Sequence, residues 1–419
     1  MRPFSFVHAA DLHLGSPFAG VTARASDLAR DLAGATLAAF RNLVEFVLES
    51  GADFLLIAGD VFDGDHPSLK ARLDFADGMR ILCEAKVPVF VAYGNHDPLA
   101  AGLGGVKLPE NVTVFGSLEA GSAQASDREG APVAEVLGVS FAARDEARNL
   151  VLLLRPARGG VFSIGLVHAN AGGRPGHENY APCSLADIQQ SGVCYMALGH
   201  VHERAVVCRQ PLAAYPGNLQ GRSFRETGPR GAFFVRVDAA GSPVETFVPL
   251  DAVRFSEKDI DIAPFSGLEE LAPALEDAVR EMAEDAEGRG LICRLRLSGR
   301  GPLHAELSAS GARADLLGRL RERLSSPSPL LWPEDLIIRT LPEADLSERR
   351  EGKDLFAQVL AIADEWRESP AERTREALKT LLEDARMRTV LSPLSEDETA
   401  ELVDRAVLSC LDILEGGRR

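Results

Sequence analysis

Short apolar runs rich in Val, Ile and Phe alternate with longer helix-like stretches over about the first 250 residues. Nearly every apolar run ends in a polar loop that contains glycine, and this alternation is typical of an α/β layered domain. Helices are predicted at residues 28–49, 69–84 and 185–190. Strands are predicted at residues 4–8, 54–58, 87–92, 112–115, 134–139, 162–167 and 193–198.

The pattern changes twice further along the chain. From about residue 212 strand follows strand, at 232–237 and 245–250, which predicts the closing strands of a two-sheet sandwich flanked by helices. Two amphipathic helices at 268–284 and 312–324 then lie between strand-like runs at 291–297 and 336–340, and strand signals stop after Pro342. We therefore predict a core at 1–250, a small α+β domain at 251–341 and a helical C-terminal segment at 342–419.

The net charge and the apolar runs of the chain limit the classes of protein to which it can belong. The chain carries 62 acidic and 45 basic side chains, a formal charge of −17, which argues against a broad, non-specific coat on nucleic acid. Twelve of the seventeen excess negative charges lie beyond residue 250, so one local phosphate site in the core is compatible with this balance. The sequence shows neither an apolar run of the ~18–20 residues that a membrane span needs nor a secretion signal, which predicts a cytoplasmic protein without membrane attachment.

Five short polar segments that follow predicted strands hold nearly all the candidate metal ligands of the core. Active sites of α/β proteins usually lie at the carboxyl ends of strands. Residues two apart in an extended segment face the same way, so Asp11 with His13, and His200 with His202, form chelating pairs. The segments are Asp11-Leu12-His13, Gly59-Asp60-Val61-Phe62-Asp63, Gly94-Asn95-His96-Asp97, His168-Ala169-Asn170 and Gly199-His200-Val201-His202.

These donors predict a site for two metal ions. Mixed imidazole and carboxylate ligands favour a first-row divalent metal, with Mn expected and Fe or Zn as alternatives, over Ca or Mg. Six or seven protein ligands are too many for one catalytic ion, so two ions that share a bridging carboxylate form the economical arrangement. Such a pair, ~3.5–4 Å apart, would activate water for in-line attack on a phosphate ester. One such segment alone is more often a plain turn, whereas five in order favour the metal site.

The order D-x-H, G-D-x-x-D, G-N-H-D, H and G-H-x-H resembles the calcineurin-like metallophosphoesterases over roughly the first 205 residues. The opening FVHAADLHLG at 6–15 is similar to that of the SbcD and Mre-type DNA repair nucleases. The run YPGNLQGR at 215–222, with ETG at 226–228, resembles the YhaO-type branch of that group. The resemblance implies the metallophosphoesterase form of the two-sheet sandwich, with residues 251–341 as a capping domain.

The resemblance also implies roles for individual residues. His96 would not ligate a metal but would stabilise or protonate the leaving oxygen, with Asp97 orienting its imidazole. Asp63 falls where some Mre-type enzymes carry a histidine, and whether it acts in catalysis or only caps a turn stays open. One ion would be held by Asp11, His13, Asp60 and His202, and the other by Asp60, Asn95, His168 and His200, with Asp60 bridging. Candidates for contact with substrate are Arg222, Arg225 and His66.

The function implied is a two-metal-dependent phosphodiesterase that acts on DNA ends in repair, as exonuclease or endonuclease, with residues 342–419 docking on the coiled coil of an SMC-like ATPase. The alternative is a phosphodiesterase or phosphatase for small molecules such as nucleotides, which shares every motif but does not need roughly 170 residues beyond the core. A scaffold with a vestigial site is disfavoured by the intact set of ligand-type side chains. The sequence leaves open the strand polarity, the metal in the cell and whether the chain forms a homodimer.

Overall fold

The computed structural model describes residues 1–16, 18, 32, 34–64, 67–100, 106–157, 161–173, 178–342, 350, 352–377 and 379, with isolated positions between 398 and 414. Two compact units make up the chain. The first comprises Met1–Glu257, Val279–Cys293 and Ser325–Glu334, and the second comprises Lys258–Ala278, Arg294–Leu324 and Asp335–Arg419. The domain boundaries at residues 250 and 341 stay predictions.

Twelve strands of the first unit form two six-stranded sheets. They are β1 (Phe4–Ala9), β2 (Phe54–Ala58), β3 (Val89–Ala92), β4 (Val112–Val114), β5 (Gly121–Ser126), β6 (Pro132–Val139), β7 (Phe162–His168), β8 (Tyr195–Gly199), β9 (Ala205–Arg209), β10 (Leu212–Tyr215), β11 (Gly231–Val237) and β12 (Pro243–Pro249). The strand orders are β12-β11-β1-β2-β3-β4 and β5-β6-β7-β8-β10-β9. Each sheet is mixed. Strands β1 to β4 pair in parallel, as do β6, β7, β8 and β10, whereas β5, β9, β11 and β12 pair antiparallel with their neighbours.

The apolar pattern of the strands explains the layers. In β1, Phe4 and Phe6 face one side and Val7 and Ala9 the other, as a period of two requires. The phenylalanine side packs against side chains of the second sheet, and Phe6 stacks on Phe54 with ring centroids 5.1 Å apart. The opposite face packs against α1 (Ala35–Glu49) and α2 (Leu69–Glu84). This confirms the predicted α/β sandwich of two sheets flanked by helices.

A third, four-stranded sheet follows in the chain, with the order β13-β14-β16-β15. None of the described helices is long and apolar enough to cross a membrane. The strands are β13 (Val253–Asp261), β14 (Gly290–Ser298), β15 (Ser326–Pro327) and β16 (Leu330–Ile338). The remaining helices are α3 (Leu185–Gln190), α4 (Leu268–Asp285), α5 (His304–Leu307), α6 (Ala312–Leu324), α7 (Leu355–Glu368) and α8 (Pro370–Ala377), with a 3-10 turn at Leu150–Leu153.

Candidate metal centre

Backbone strain is concentrated at the ends of the strands that carry the candidate ligands. Asp11, His13, Asp60 and His200 have φ angles of 51°, 45°, 50° and 101°, in the left-handed region that side chains with a Cβ rarely occupy. Each such residue costs about 1–3 kcal/mol, and strain of this kind persists where the surrounding structure holds it for function. Three of the four, Asp11, His13 and Asp60, have donor atoms that lie within 4.8 Å of other candidate ligands.

Two glycines at the strand ends leave space for the donor side chains. A Cβ at Gly59 would overlap the His168 ring, and a Cβ at Gly94 would overlap both that ring and Asp60 Oδ1. Gly59 also has a φ of 90°, which glycine adopts without steric cost. The ligands can therefore pack against backbone only because these positions lack a side chain.

One group of donors forms around His168. Its Nδ1 lies 2.9 Å from the carbonyl oxygen of Ala58, so Nδ1–H donates there and the lone pair belongs to Nε2. That Nε2 lies 3.0 Å from Asn95 Oδ1 and 3.4 Å from Asp60 Oδ2. Asp11 completes the group, with its carboxylate 4.0 Å from the ring. Acceptor atoms thus converge in a buried place, an arrangement that a cation stabilises.

A second group of donors forms around His13 and His202. Their Nε2 atoms lie 3.2 Å apart, and Asp11 supplies a carboxylate to the same group. The Nδ1 of His202 lies 2.7 Å from Glu226 Oε1, so this carboxylate takes the ring N–H and directs the Nε2 lone pair toward His13. Metal-ligating histidines commonly donate their other N–H to a carboxylate in this way. The second group therefore also fits a divalent cation.

Asp60 lies between the two groups. Its Oδ2 is 3.4 Å from His168 Nε2 and 3.9 Å from His13 Nε2, while its Oδ1 accepts the backbone N–H of His96 at 3.0 Å. Asp60 is 1% exposed, and a buried carboxylate requires nearby positive charge. This position is the one that a bridging ligand would occupy.

His200 lies next to the first group. Its backbone N–H donates to Asp11 Oδ1 at 3.0 Å, and its Nε2 donates to the carbonyl oxygen of Glu178 at 2.7 Å. The ring centroid is 5.2 Å from that of His168. The hydrogen bond at Nε2 leaves Nδ1 as the atom that would ligate a metal, and this role stays a prediction.

The structure corrects the role assigned to Asp97. Its Oδ2 accepts the backbone N–H groups of Val61 and Phe62 at 2.6 and 3.2 Å, and its Oδ1 accepts that of Gly94 at 2.9 Å. The prediction that Asp97 orients His96 is therefore wrong, because its two oxygens accept backbone N–H groups of the segments that follow β2 and β3.

The carboxylate that pairs with His96 is that of Asp63. Its Oδ1 lies 2.8 Å from His96 Nδ1, and this hydrogen bond raises the pKa of His96 above its usual value. His96 is 31% exposed in its side chain, so the ring stands at the rim of the donor groups. Its ring is therefore open to a substrate while its backbone is tied to Asp60.

The three residues predicted to contact substrate differ in where the structure places them. Arg222 reaches the site, since its NH1 donates to Ser16 Oγ at 3.0 Å and lies 3.7 Å from Asp63 Oδ2. Arg225 is exposed and lines a cavity beside the site. His66 lies outside the described residues. Contact of any of the three with a substrate stays a prediction.

Glu226 is a residue of the site that sequence reasoning missed. Burial raises the pKa of its carboxyl, but the His202 hydrogen bond and the Arg222 charge outweigh burial and lower the pKa to about 2. Glu226 is 24 residues from His202, and no local pattern links the two positions. The only signal was the resemblance of the ETG segment to the YhaO-type branch.

A cavity of about 690 Å³ lies on the Glu226 side of His202. Three arginines contribute to it, and two of them are fixed by neighbours: Arg204 stacks on the Phe247 ring at 4.1 Å, and Arg230 donates to the His202 carbonyl oxygen at 2.5 Å. The lining residues are His202, Glu203, Arg204, Pro216, Arg225, Glu226, Thr227, Pro229 and Arg230.

Comparison with known proteins identifies relatives of both parts of the chain. The family of calcineurin-like phosphoesterases matches residues 4–204, and the middle domain of metallophosphoesterase YhaO matches residues 255–341. The chain is 32% identical over 348 residues to the uncharacterized metallophosphoesterase YhaO of Bacillus subtilis, which covers 83% of this chain and 84% of that protein.

Similarity to repair proteins is weaker and partial. The DNA double-strand break repair protein Mre11 of Aeropyrum pernix is 26% identical over 252 residues, 54% of this chain and 56% of that protein. The protein of the same name from Archaeoglobus fulgidus is 32% identical over 113 residues, 27% of this chain and 24% of that protein.

Proposed function

Because the chain belongs to the calcineurin-like metallophosphoesterases, in their YhaO branch, we propose that it is a two-metal phosphodiesterase that cuts DNA at its ends. Family membership makes the chain a metal-dependent phosphoester hydrolase with a dinuclear divalent metal site. The observation that carries the proposal is the pair of donor groups, which share Asp11 and between which Asp60 lies, next to a cavity with three arginines.

The chemistry follows from the donor groups. When bound, two divalent ions stabilise the charge that develops on a phosphoryl oxygen and lower the pKa of water. We propose Mn as the physiological metal, because imidazole and carboxylate ligands are mixed in both groups. In the group of His13 and His202, these two residues would hold one ion together with Asp11 and Asp60. In the group around His168, this residue would hold the other ion together with Asp60, Asn95 and His200.

The protein itself supplies positioning and a proton. Glu226 and the Ala58 carbonyl fix the rings of His202 and His168, so that their Nε2 atoms stay turned into the site. His96 presents Nε2 toward the substrate because Nδ1 faces Asp63, and it would donate a proton from Nε2 to the leaving oxygen. Each of these side chains is held before substrate arrives, which reduces the reorganisation needed in the transition state.

The substrate class is inferred from the cavity beside His202. Arginine side chains bind phosphate oxygens through charge-assisted hydrogen bonds, and phosphate contacts position a nucleic-acid strand. A strand whose scissile phosphate lies at the donor groups could place a neighbouring phosphate near Arg204, Arg225 and Arg230. The partial similarity to Mre11 supports the same substrate class. A small nucleotide ester would use the donor groups but not this cavity.

The Arg225→Ala variant tests this substrate class. With Mn present, we expect the KM for a short DNA oligonucleotide to rise about 10-fold, because one hydrogen bond to a charged phosphate contributes about 1.5 kcal/mol or more. A plot of the logarithm of the DNA-binding constant against the logarithm of the salt concentration should become less steep, its slope falling in magnitude by about one. The KM for bis-(p-nitrophenyl) phosphate, which is too small to span the cavity, should change several times less.

Arg209 provides the matched control, since it is an exposed arginine paired with Glu245 and lies outside the cavity lining. Arg209→Ala should leave both KM values unchanged. Equal effects of the two substitutions on DNA would contradict the cavity's role. Hydrolysis of the small ester by wild-type protein that leaves DNA intact would reject the nuclease proposal in favour of a small-molecule phosphodiesterase.

For the C-terminal segment we propose docking on the coiled coil of an SMC-like ATPase. On α7, Leu355 and Ile362 are 58% and 53% exposed, while Phe356 and Leu360 are buried. The exposed pair is seven residues apart, the spacing at which apolar side chains recur along one face of a coiled-coil helix. Such a helix therefore suits the groove of a partner's coiled coil.

Co-elution with a recombinant ATPase head that carries the base of its coiled coil tests this docking. We expect the combined L355E and I362E variant to elute separately from the ATPase, because two buried charges would oppose association. The variant should still hydrolyse bis-(p-nitrophenyl) phosphate. Ala361→Glu, at an exposed position about 100° around the same helix from Ile362, is the control and should still co-elute. Co-elution of the double variant would exclude this face of α7.

A further inference from the structure

Helices of the second compact unit line a groove of about 600 Å³. The first two turns of α4 form one part of its lining, and α5 with the first two turns of α6 forms most of the rest. None of the lining residues is a candidate metal ligand. A groove lined by helices is a place where a further helix can bind by its apolar face.

Apolar side chains provide much of the lining. Leu268, Leu307 and Leu316 contribute the large ones, and Leu268 remains 39% exposed. Ala272 and Ala312 also line the groove, and Ala312 shares a face of α6 with Leu316, four residues further on. Because an alanine side chain ends at Cβ, these two positions leave space in which an apolar side chain of a partner can pack.

Three acidic side chains belong to the same lining. Glu269, Glu306 and Asp315 are exposed, whereas Arg319 is the one basic residue among the described residues of the groove. Within the part of the chain that the structure describes, none of the three carboxylates forms a salt bridge. The groove therefore carries a net negative charge that the described side chains do not neutralise.

Two other acidic residues of this unit pair with arginine. Glu276 Oε1 lies 2.8 Å from Arg323 Nε, and Asp259 Oδ1 lies 2.8 Å from Arg296 NH1. The carboxylates of the groove differ from these because they lack such a partner among the described residues. Their charge, beside an apolar surface, makes the groove complementary to a ligand that combines an apolar face with positive side chains.

Pro273 adds a hydrogen-bond acceptor to the wall of the groove. It lies inside α4 and has no N–H, so the carbonyl oxygen of Glu269 lacks the donor that a residue four positions further on normally supplies. Both residues line the groove. The ammonium group of lysine and the guanidinium group of arginine carry several N–H donors each, and either can satisfy this oxygen.

We propose that this groove binds a basic amphipathic helix of a partner protein, whose apolar face packs on the leucines and whose lysines or arginines meet the three carboxylates. DNA does not suit the groove, because these carboxylates would repel its phosphates. A second copy of the chain is disfavoured by the mutual repulsion of two molecules that each carry a formal charge of −17. The inference goes beyond the proposed function and involves no residue of the metal centre.

Binding of synthetic helical peptides to the full-length chain, measured by fluorescence anisotropy, tests this docking. The probe is a peptide of roughly 18 residues with leucines at positions i, i+3, i+4 and i+7 and lysines on the flanking positions. A second peptide carries glutamate in place of each lysine, and a third has the composition of the first in scrambled order. At about 0.15 M salt we expect the first peptide to bind at least about 10-fold more tightly than either of the others.

Matched substitutions locate the bound peptide. Ala312→Trp fills the groove and should weaken binding of the basic peptide at least about 10-fold, whereas Ala314→Trp, about 200° around α6 at an exposed position outside the lining, should change it less than about 2-fold. Glu306→Lys should weaken binding several-fold, and less at high salt. Asp277→Lys reverses an exposed carboxylate of α4 outside the lining and is its control.

Several results would overturn the inference: no binding of the basic peptide, equal binding of the scrambled or glutamate peptide, or equal effects of each substitution and its control. Self-association of the chain that Ala312→Trp abolishes would identify a second copy as the occupant and overturn it as well. Thermal unfolding shows whether each variant is folded, and Glu306→Lys, at an exposed position, keeps the test valid if Ala312→Trp unfolds. Hydrolysis of phosphate esters is not part of these measurements, so failure of the proposed function would leave them unaffected.

Discussion

Asp60→Asn should lower kcat for bis-(p-nitrophenyl) phosphate at least about 1,000-fold, because charge neutralisation by divalent ions is worth several kcal/mol in the transition state. The Oδ2 of Asp60 faces His168 in one donor group and His13 in the other. Removal of its charge therefore weakens both ion sites. Metal content after gel filtration should fall from two Mn ions per chain to one or none.

Asparagine is the substitution of choice at this position. Asp60 has a φ of 50°, and asparagine tolerates left-handed backbone better than alanine does. The amide oxygen can also still accept the N–H of His96, which Asp60 Oδ1 accepts at 3.0 Å. Asp74→Asn is the control, because that carboxylate belongs to an i,i+4 pair with Lys70 on α2. Near-normal turnover, or two retained ions in Asp60→Asn, would contradict the bridging position.

The strand ends could be predicted because their chemistry is local. Each buried strand is an apolar run, and at Gly59, Gly94 and Gly199 a glycine marks the turn at which the ligand side chains leave the sheet. Strand β5 was missed because its sequence GSAQAS lacks an apolar face, and only Ala125 on it is buried. Strand β13 was missed because charged residues interrupt its apolar pattern after Phe255.

Partners of the catalytic side chains were harder to predict, because they depend on tertiary packing. Asp97 adjoins His96 in sequence, yet its side chain turns back to the end of β2, whereas Asp63 is 33 residues away and reaches the imidazole. Glu226 approaches His202 from a loop that begins after β10. Neither pairing has a sequence spacing that a local rule could recognise.

The acidic charge of the chain bears on how DNA would be bound. Two divalent ions at the buried carboxylates would reverse the sign of the local field where a phosphate must lie. Away from the donor groups and the cavity arginines, the excess of acidic residues repels any second stretch of the DNA phosphate backbone. We therefore expect DNA bound to the chain alone to be held at one place and weakly, with a partner supplying further basic surface.

His96→Ala should keep both metal ions and lose turnover. The ring of His96 contacts Asp63, while only its backbone N–H contacts Asp60. General acid catalysis contributes about 10²–10⁴-fold, so kcat for diphenyl phosphate should fall within that range. The loss for bis-(p-nitrophenyl) phosphate should be smaller, because p-nitrophenolate is stable enough to leave without a proton. Rates for the two esters, measured with metal content on the same preparations, test this difference.

Substitution of Asn95, the residue before His96, gives a direct comparison between a metal ligand and a proton donor. Asn95 Oδ1 lies 3.0 Å from His168 Nε2, so Asn95→Ala should weaken metal binding and slow both esters equally. Loss of metal from His96→Ala would make His96 a ligand. Equal losses for the two esters with metal retained would mean that His96 stabilises charge on the phosphate and gives no proton. A larger loss for the phenyl ester, with both ions present, is the result that only a proton donor at Nε2 explains.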